Sequence, residues 1–425
     1  MKETRRKFLK NSALAGMGLA LGASALSSCN DIVADGKAVR LAIIGTGSRG
    51  RYLMEHLFYL NKRHHTFEVV AVCDTYSPHL ELAKSLCGRY KKNPKTFTDY
   101  KSLIRDCPVD GVIVATPLYQ HAHITIDCLQ QGIHVFCEKA MGRTIEEVRA
   151  MYDAQQNSGS VLLIGHQRLF NQKYLNAMER LHQGEFGPLG QVRAYWHRNK
   201  DWRKKVPADS PELERQLNWR LYKEYSAGLL SELMSHQLQV ANWAFQSAPV
   251  SVQASGGIQF WQDGREVADN FAAVFTYPNG NQLIYDSMNM NRNYGVEEHL
   301  ITDLASLRLE TNTIQWDSPN KTVNDPAPLK AMSEAIKDNL KMGNAIGGPS
   351  WDPETEIEGK KEPIYKGQEG DGTQELLLGF VDFIKAKAAP DWMLREAYHA
   401  SIWTLLTEKA IDSGETVRMD AQWMV

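Results

Sequence analysis

The sequence predicts an α/β protein, with an N-terminal doubly wound parallel sheet and a C-terminal α/β domain built on a large, mostly antiparallel sheet. Three observations predict it. A nearly continuous apolar run, Val39 to Ile44, leads straight into Gly45-Thr46-Gly47-Ser48-Arg49-Gly50. Short apolar runs then alternate with helix-like stretches as far as about residue 167. Beyond residue 168 strand-like runs follow one another through tight turns such as Pro278-Asn279-Gly280. A strand buried on both faces reads as an unbroken apolar run. Strand–helix alternation implies βαβ units, whereas consecutive strands with short turns imply antiparallel pairing.

In the first part, strands are expected at 39–44, 68–73, 111–115, 134–137 and 161–164, with helices at 50–60, 78–90, 100–105, 121–131 and 145–157. In the second, a helix at 172–182 leads to strands at 191–197, 250–260, 270–277, 282–290 and 306–310. The segment 317–370 is rich in Pro, Gly, Asn and charge, and reads as a surface excursion with one helix-like stretch at 329–342. Amphipathic helices at 374–387 and 395–413 close the domain. The resulting division is 1–28 a signal, 29–38 a linker, 39–167 a dinucleotide-binding domain and 168–425 a second domain.

A chain of 425 residues is long enough for two domains. The formal net charge of -2 gives no whole-chain attraction to nucleic acid, and Arg203-Lys204-Lys205 is too short a run to make a basic stripe. The first residues read as a processing signal. Thr4-Arg5-Arg6-Lys7-Phe8-Leu9-Lys10 matches the twin-arginine export pattern, and the apolar run at 13–26 is too short and too rich in small residues for a good membrane span. It ends in Leu26-Ser27-Ser28-Cys29, which looks like a lipobox with Cys29 lipidated, so the expected location is periplasmic or membrane-anchored through lipid alone. Cys73, Cys87, Cys107, Cys128 and Cys137 contain no C-x-x-C pair, and no metal site is expected. Cys73 and Cys137 read as small buried hydrophobes.

The glycine loop carries the cofactor argument. Directly after a strand and opening a helix, the first glycine makes the tight turn, the second lets backbone approach a pyrophosphate, and the third allows close helix–strand packing. Free N–H groups at the helix N-terminus bind the phosphates. Asp74 ends the second strand, twenty-four residues after Gly50, where a carboxylate would hydrogen-bond ribose hydroxyls. It would repel a 2′-phosphate, so NAD is expected rather than NADP.

Three further segments, Thr116-Pro117-Leu118-Tyr119-Gln120-His121, Glu138-Lys139-Ala140 and the stretch from Gly228 through Glu232 to His236, follow this loop. In that order they resemble the Gfo/Idh/MocA family, which includes glucose–fructose oxidoreductase and inositol dehydrogenase. The resemblance implies a Rossmann domain plus an α/β domain whose open sheet forms oligomer contacts, here a homo-oligomer. It implies that Thr116, Pro117 and His121 line the cofactor pocket beside Leu118 and Tyr119. Glu138 would bind the nicotinamide ribose, Gln167 would lie near the nicotinamide, and Lys139 would be the reactive-centre lysine. Burial lowers the pKa of such a lysine towards the working range of a proton shuttle. Glu232 and His236 are four apart on an expected helix, which places them on one face. The acid would orient the imidazole, leaving His236 as general base for a substrate hydroxyl. The family more often has Asp where this chain has Glu232, and Pro where it has Ala140. Arg168, Arg198 and Trp219, with Trp202 and Arg220, are candidates for holding a sugar.

The export signal adds a condition. Twin-arginine pathways generally carry folded proteins, and a freely exchanging dehydrogenase would be stranded without fresh cofactor outside. A tightly retained NAD is therefore expected, regenerated within each cycle. One such cycle passes hydride from one sugar to a second acceptor. Another oxidises a ring hydroxyl transiently and eliminates a glycoside, as NAD-dependent glycosidases of the same superfamily do. The rival of another class is a non-catalytic, exported sugar-binding module.

Overall fold

In the computed structural model of the protein, the described residues are 38–317, 359–368 and 370–425. The expected signal, Cys29 and the helix-like stretch at 329–342 lie outside them.

The first sheet has six parallel strands: β1 (Val39–Ile44), β2 (Phe67–Cys73), β3 (Lys95–Phe97), β4 (Gly111–Val114), β5 (His134–Cys137) and β6 (Leu162–Ile164). Their order is β3-β2-β1-β4-β5-β6, so the direction of winding reverses at β1. The helices are α1 (Ser48–His64), α2 (Ser77–Arg89), α3 (Tyr100–Asp106), α4 (His121–Gln130) and α5 (Ile145–Ser158). Leu41, Ala42 and Ile43 are fully buried, as a central strand covered on both faces requires. The β1–β4 crossover opens the crevice at the carboxyl ends of these strands, where ligands bind in such sheets. Strand β3 was not expected: Lys95-Thr96-Phe97 is three residues long with a single apolar side chain, the pattern of a short, solvated edge.

The second sheet has nine strands: β7 (Leu189–His197), β8 (Ser251–Gly257), β9 (Asn270–Thr276), β10 (Gln282–Met288), β11 (Val296–Thr302), β12 (Ala305–Arg308), β13 (Thr313–Trp316), β14 (Lys361–Pro363) and β15 (Val417–Arg418). All neighbours are antiparallel except β7 and β10. Strand β11 has no alternation that would announce it, because its interior is Glu297-Glu298-His299. Both glutamates are buried with partners: Glu297 accepts from the N–H groups of Glu310 and Thr311, and Glu298 accepts from the Tyr174 hydroxyl at 2.7 Å and pairs with Arg168 at 3.1 Å. The expected strand at 250–260 stops at Gly257, while β13, β14 and β15 fall in stretches that carry no strand pattern either.

Helices α6 (Gln172–His182), α7 (Ser235–Phe245), α8 (Thr373–Ala386) and α9 (Asp391–Ser413) are the longer helices of the second part. The division at 167/168 describes the order of the chain, but α8 returns to the first sheet. Phe380 meets Phe136 with ring centroids 6.0 Å apart, and a Cβ on Gly111 would stand 2.7 Å from Ile384 Cδ1. Helix α9 packs Trp403 against Phe275 of β9, and its Ser401 accepts a hydrogen bond from Met141 N at 3.1 Å. The last two helices thus tie both sheets together. All five cysteines in the described residues are free and buried; burial pushes the Cys73 and Cys128 thiols up to about 12. Among the described residues no helix is long and apolar enough to cross a membrane. Phe380 is fully buried at the α8 contact, so Phe380→Ala should cost about 3–5 kcal/mol in a denaturant titration; a loss below about 1 kcal/mol would mean α8 does not hold the first sheet.

Candidate active site

The turn after β1 is built for glycine. Gly45 has φ +92, and a Cβ there would stand 2.6 Å from the carbonyl carbon of Ala115. A Cβ on Gly50 would stand 1.9 Å from the Gly45 carbonyl oxygen, so α1 starts pressed against the turn. Gly47 is different: its nearest neighbour would be His79 Cε1 at 3.8 Å, and it lines the open cleft. No side chain caps the N-terminus of α1. Its first N–H groups are left for an anion, which suits the pyrophosphate of a dinucleotide.

Asp74 fixes this turn to the end of β2. Its carboxylate accepts from Thr46 N at 2.7 Å, Thr46 Oγ1 at 3.1 Å and Tyr76 N at 2.9 Å. Burial alone would raise its pKa, but the His79 ring and the Tyr76 and Thr46 N–H groups outweigh that and hold it below the usual carboxylate range. A charged acid therefore lines the cleft where a ribose belongs. Thr46 was expected in the cofactor set; it is fully buried, bonds Asp74 and does not line the cleft, and Gly50 is likewise behind it.

The cleft holds about 820 Å³. Gly45, Gly47, Ser48, Arg49 and Asp74 line one side, and Thr116, Pro117, Leu118, Tyr119, His121, Glu138, Lys139 and Gln167 continue it. His121 is buried, with Nδ1 2.8 Å from the Ala140 carbonyl oxygen and Nε2 3.1 Å from that of Thr116, so it ties the two loops together. Leu118, Ala140 and Trp219 pack as a small apolar cluster with Tyr225, whose ring lies 4.6 Å from that of Tyr119. The Lys139–Ala140 peptide is cis. Arg49 Nε donates to Glu138 Oε1 at 2.7 Å. Thr116 Oγ1, Gln167 Oε1 and His236 Nδ1 are buried with no hydrogen-bond partner, although all three residues line the cleft. Buried polar atoms are rarely left so, and a carboxamide and hydroxyls arriving with a nicotinamide riboside would satisfy them.

Lys139 Nζ donates to the carbonyl oxygens of Ser231 at 3.2 Å and Glu232 at 2.8 Å. Burial pulls its pKa below the ordinary lysine value, against the pull of Glu232 and Glu138. His236 is pulled well below 6.5 by burial, then by Lys139 and Arg168, and is neutral across the physiological range. The expectation that Glu232 orients His236 is corrected. The Glu232 carboxylate accepts from Arg220 Nε at 2.6 Å, and the His236 ring faces His166 and Trp196, with centroids 6.2 and 5.9 Å away. The backbone at Leu230–Met234 is a π turn, wider than an α turn, so four-residue spacing no longer stacks the two side chains. Glu232 remains charged: burial would raise its pKa, but Arg220 and Lys139 lower it further.

Of the sugar candidates, Arg198 and Trp219 line the cleft, as do Trp202 and Arg220. Arg168 does not. It is buried in a network with Tyr174, Glu298 at 3.1 Å and Glu310 at 2.5 Å, and acts as the counter-ion of buried β11. Two residues near His236 were missed. Trp196 lies on β7, where knowing the strand's inward parity would have found it. His166, whose pKa burial drops to about 3, sits directly before Gln167. Among the described residues no group of His, Cys, Asp and Glu is placed to hold a metal ion.

A six-stranded doubly wound sheet, a glycine turn at its switch point and a cleft shared with a second sheet define a dinucleotide-binding enzyme of the Rossmann class. A model of the "Oxidoreductase family, NAD-binding Rossmann fold" matches residues 39–166, and one of the "GFO/IDH/MocA C-terminal domain" matches 174–303. The two span more than half of the chain, which belongs to the Gfo/Idh/MocA family of NAD-binding oxidoreductases. A glycosyl hydrolase family 109 protein of Stenotrophomonas maltophilia is 33% identical over 201 residues, 45% of this chain and 42% of that protein. A levoglucosan dehydrogenase of Pseudarthrobacter phenanthrenivorans is 29% identical over 164 residues, 38% of this chain and 40% of that protein. The chain spans about half the length of the curated relatives it matches. A levoglucosan dehydrogenase structure in complex with NADH and levoglucosan shares the fold at TM-score 0.67 and 17% identity, covering 90% of this chain and 99% of that one. A myo-inositol 2-dehydrogenase from Lactobacillus plantarum does so at TM-score 0.65 and 19% identity, covering 90% and 100%.

Two outcomes follow from this geometry. Gly50→Ala places a Cβ against backbone that cannot yield, so NAD bound per chain should fall by about tenfold or more at matched nucleotide, read by calorimetry; unchanged binding would remove the turn from the cofactor site. In an NMR titration His236 should stay neutral as pH falls through 6.5 and take up its proton only at markedly lower pH. A midpoint at 6.5 or above contradicts its burial beside Lys139.

Proposed function

We propose that the protein is an exported, NAD-dependent oxidoreductase that oxidises a hydroxyl, or reduces a keto group, of a sugar or sugar derivative. The observation that carries this reading is the convergence of Lys139 and His236 on the same cleft as the Gly45–Asp74 cofactor turn. When bound, NAD supplies a hydride acceptor for a carbinol C–H bond. The chain's own residues supply the rest. His236, neutral and open to the cleft, takes the hydroxyl proton, and Lys139, held by two carbonyl oxygens, hydrogen-bonds the reacting oxygen and shares that proton. Glu232 acts indirectly, holding Arg220 and stabilising charge on Lys139. Trp219 and Trp202 offer flat apolar surface for a sugar ring.

Export rests on the twin-arginine pattern at Thr4 to Lys10 and the lipobox ending at Cys29. It favours a nucleotide retained through many turnovers. The nine-stranded sheet offers an extended surface that suits a homo-oligomer contact. The second reading, a glycosidase that oxidises a ring hydroxyl transiently before eliminating the aglycone, is favoured by the family 109 relative at 33% identity. A non-catalytic sugar-binding module would not need a lowered lysine pKa beside a neutral histidine.

Protein purified without added nucleotide should release close to one NAD per chain on denaturation, and a panel of sugars and glycosides should contain one that reduces it. Lys139→Met and His236→Ala should each slow that reduction by about 10²–10⁴-fold. Product mass separates the readings, since an oxidised sugar supports the first and a released aglycone the second. An empty protein that no sugar reduces after NAD is added would overturn both.

A further inference from the structure

The substrate end of the cleft carries positive charge that the chain does not neutralise. Arg49 is taken by Glu138, Arg220 by Glu232, and Arg203 by Glu214 and Asp263. Arg198 lines the same cleft, and no ion pair or side-chain hydrogen bond is found for its guanidinium among the described residues. It is nevertheless held in place. Its backbone N–H donates to the Met288 carbonyl at 2.8 Å, directly after β7, and its guanidinium carbon lies 4.8 Å from the Trp196 ring centroid. That ring is 5.9 Å from the ring of His236.

The contrast with Arg168 is informative, because the two arginines share one aromatic partner. Arg168 lies 5.5 Å from the Trp196 centroid and is neutralised by Glu298 and Glu310. Arg198 has only the ring. Burial lowers its pKa; Glu232 opposes that, but the Glu232 carboxylate is already bonded to Arg220 and faces Lys139. An arginine stays protonated at any working pH, so it cannot escape desolvation by losing its charge. Lys204 adds to the same potential: it lines the cleft, and Arg220 and Arg51 act on it. A partly desolvated cation held by a rigid strand end is costly unless a ligand supplies its counter-ion.

We propose that Arg198 recognises an anionic substituent, a carboxylate or a sulfate ester, on the sugar that reacts beside His236, so that the substrates of this cleft are acidic sugars. The assignment rests on the oxidoreductase reading above. The planar guanidinium fork suits two parallel hydrogen bonds to a carboxylate, and it meets the tetrahedral oxygens of a sulfate nearly as well.

The test uses the full chain with its NAD and follows nicotinamide reduction with three groups of compounds. These are glucuronate and galacturonate, glucose 6-sulfate and galactose 6-sulfate, and neutral glucose and galactose. At least one anionic group should exceed the neutral one in kcat/KM by about tenfold or more, an advantage that falls with added salt. Whichever anionic group leads identifies the substituent. Arg198→Met should cut the acidic-to-neutral ratio by about tenfold, mainly through KM, and Arg198→Lys should restore part of it. If neutral sugars reduce the nucleotide as well as acidic ones, or if the ratio survives in Arg198→Met, the inference is overturned and the oxidoreductase reading stands. If none of these sugars reduces it while another neutral sugar or glycoside of the wider panel does, the inference alone is overturned; if nothing in that panel reduces it, the oxidoreductase reading fails and takes this inference with it.

Discussion

Helix α1 can begin where it does only because Gly50 has no Cβ, and the contact that depends on this is with the carbonyl of Gly45. From that approach the rest of the cleft is measured. Gly45 turns against Ala115 at the end of β4, which places the 116–121 loop beside the α1 N-terminus. Asp74, bonded to Thr46, locks the same turn to β2. His121 then joins the loop to Ala140 and so to Lys139. Each step is a short-range steric or hydrogen-bond constraint, and together they fix the position of Lys139 relative to the uncapped N-terminus of α1.

The second domain meets Lys139 through unusual helical backbone. The π turn at Leu230–Met234 presents the Ser231 and Glu232 carbonyls to the Lys139 ammonium while aiming the Glu232 carboxylate at Arg220. His236, one turn further on, is left without an acidic partner and stays uncharged. The proposed proton transfer uses this pairing of an uncharged imidazole with a lysine whose pKa burial lowers. The buried acids of β11 lie apart from the cleft instead: Glu298 sits 3.1 Å from Arg168, and burial pushes its pKa up to about 7.

What the residues disclosed in advance follows from which signals are local. The parallel sheet was legible because buried strands and glycine turns leave continuous, short-range patterns, as at Val39 to Gly50. The cleft walls at 116–121 and 138–139 were legible through a family resemblance carried by short motifs. Strand β11 was hidden, since its glutamates are tolerable only through partners distant in sequence, such as Tyr174 for Glu298, 124 residues away. Arg168 was misread for the same reason: an arginine's partner is a tertiary fact. The Glu232–His236 relation failed because α-helical spacing was assumed where the backbone is a π turn. The return of α8 to the first sheet was equally invisible, because amphipathicity says that a helix packs and not on what.

The reading proposed above requires a nicotinamide ring to lie between Lys139 and His236, which line one cleft with the turn at Gly45 to Ser48, and a pyrophosphate to lie on that turn. A crystal structure of the protein grown with NAD measures this directly. The account predicts the dinucleotide along that turn, its adenosine ribose at Asp74 and its nicotinamide within hydrogen-bonding reach of Gln167 and facing His236. Density for the nucleotide elsewhere, or a nicotinamide remote from both Lys139 and His236, would contradict it.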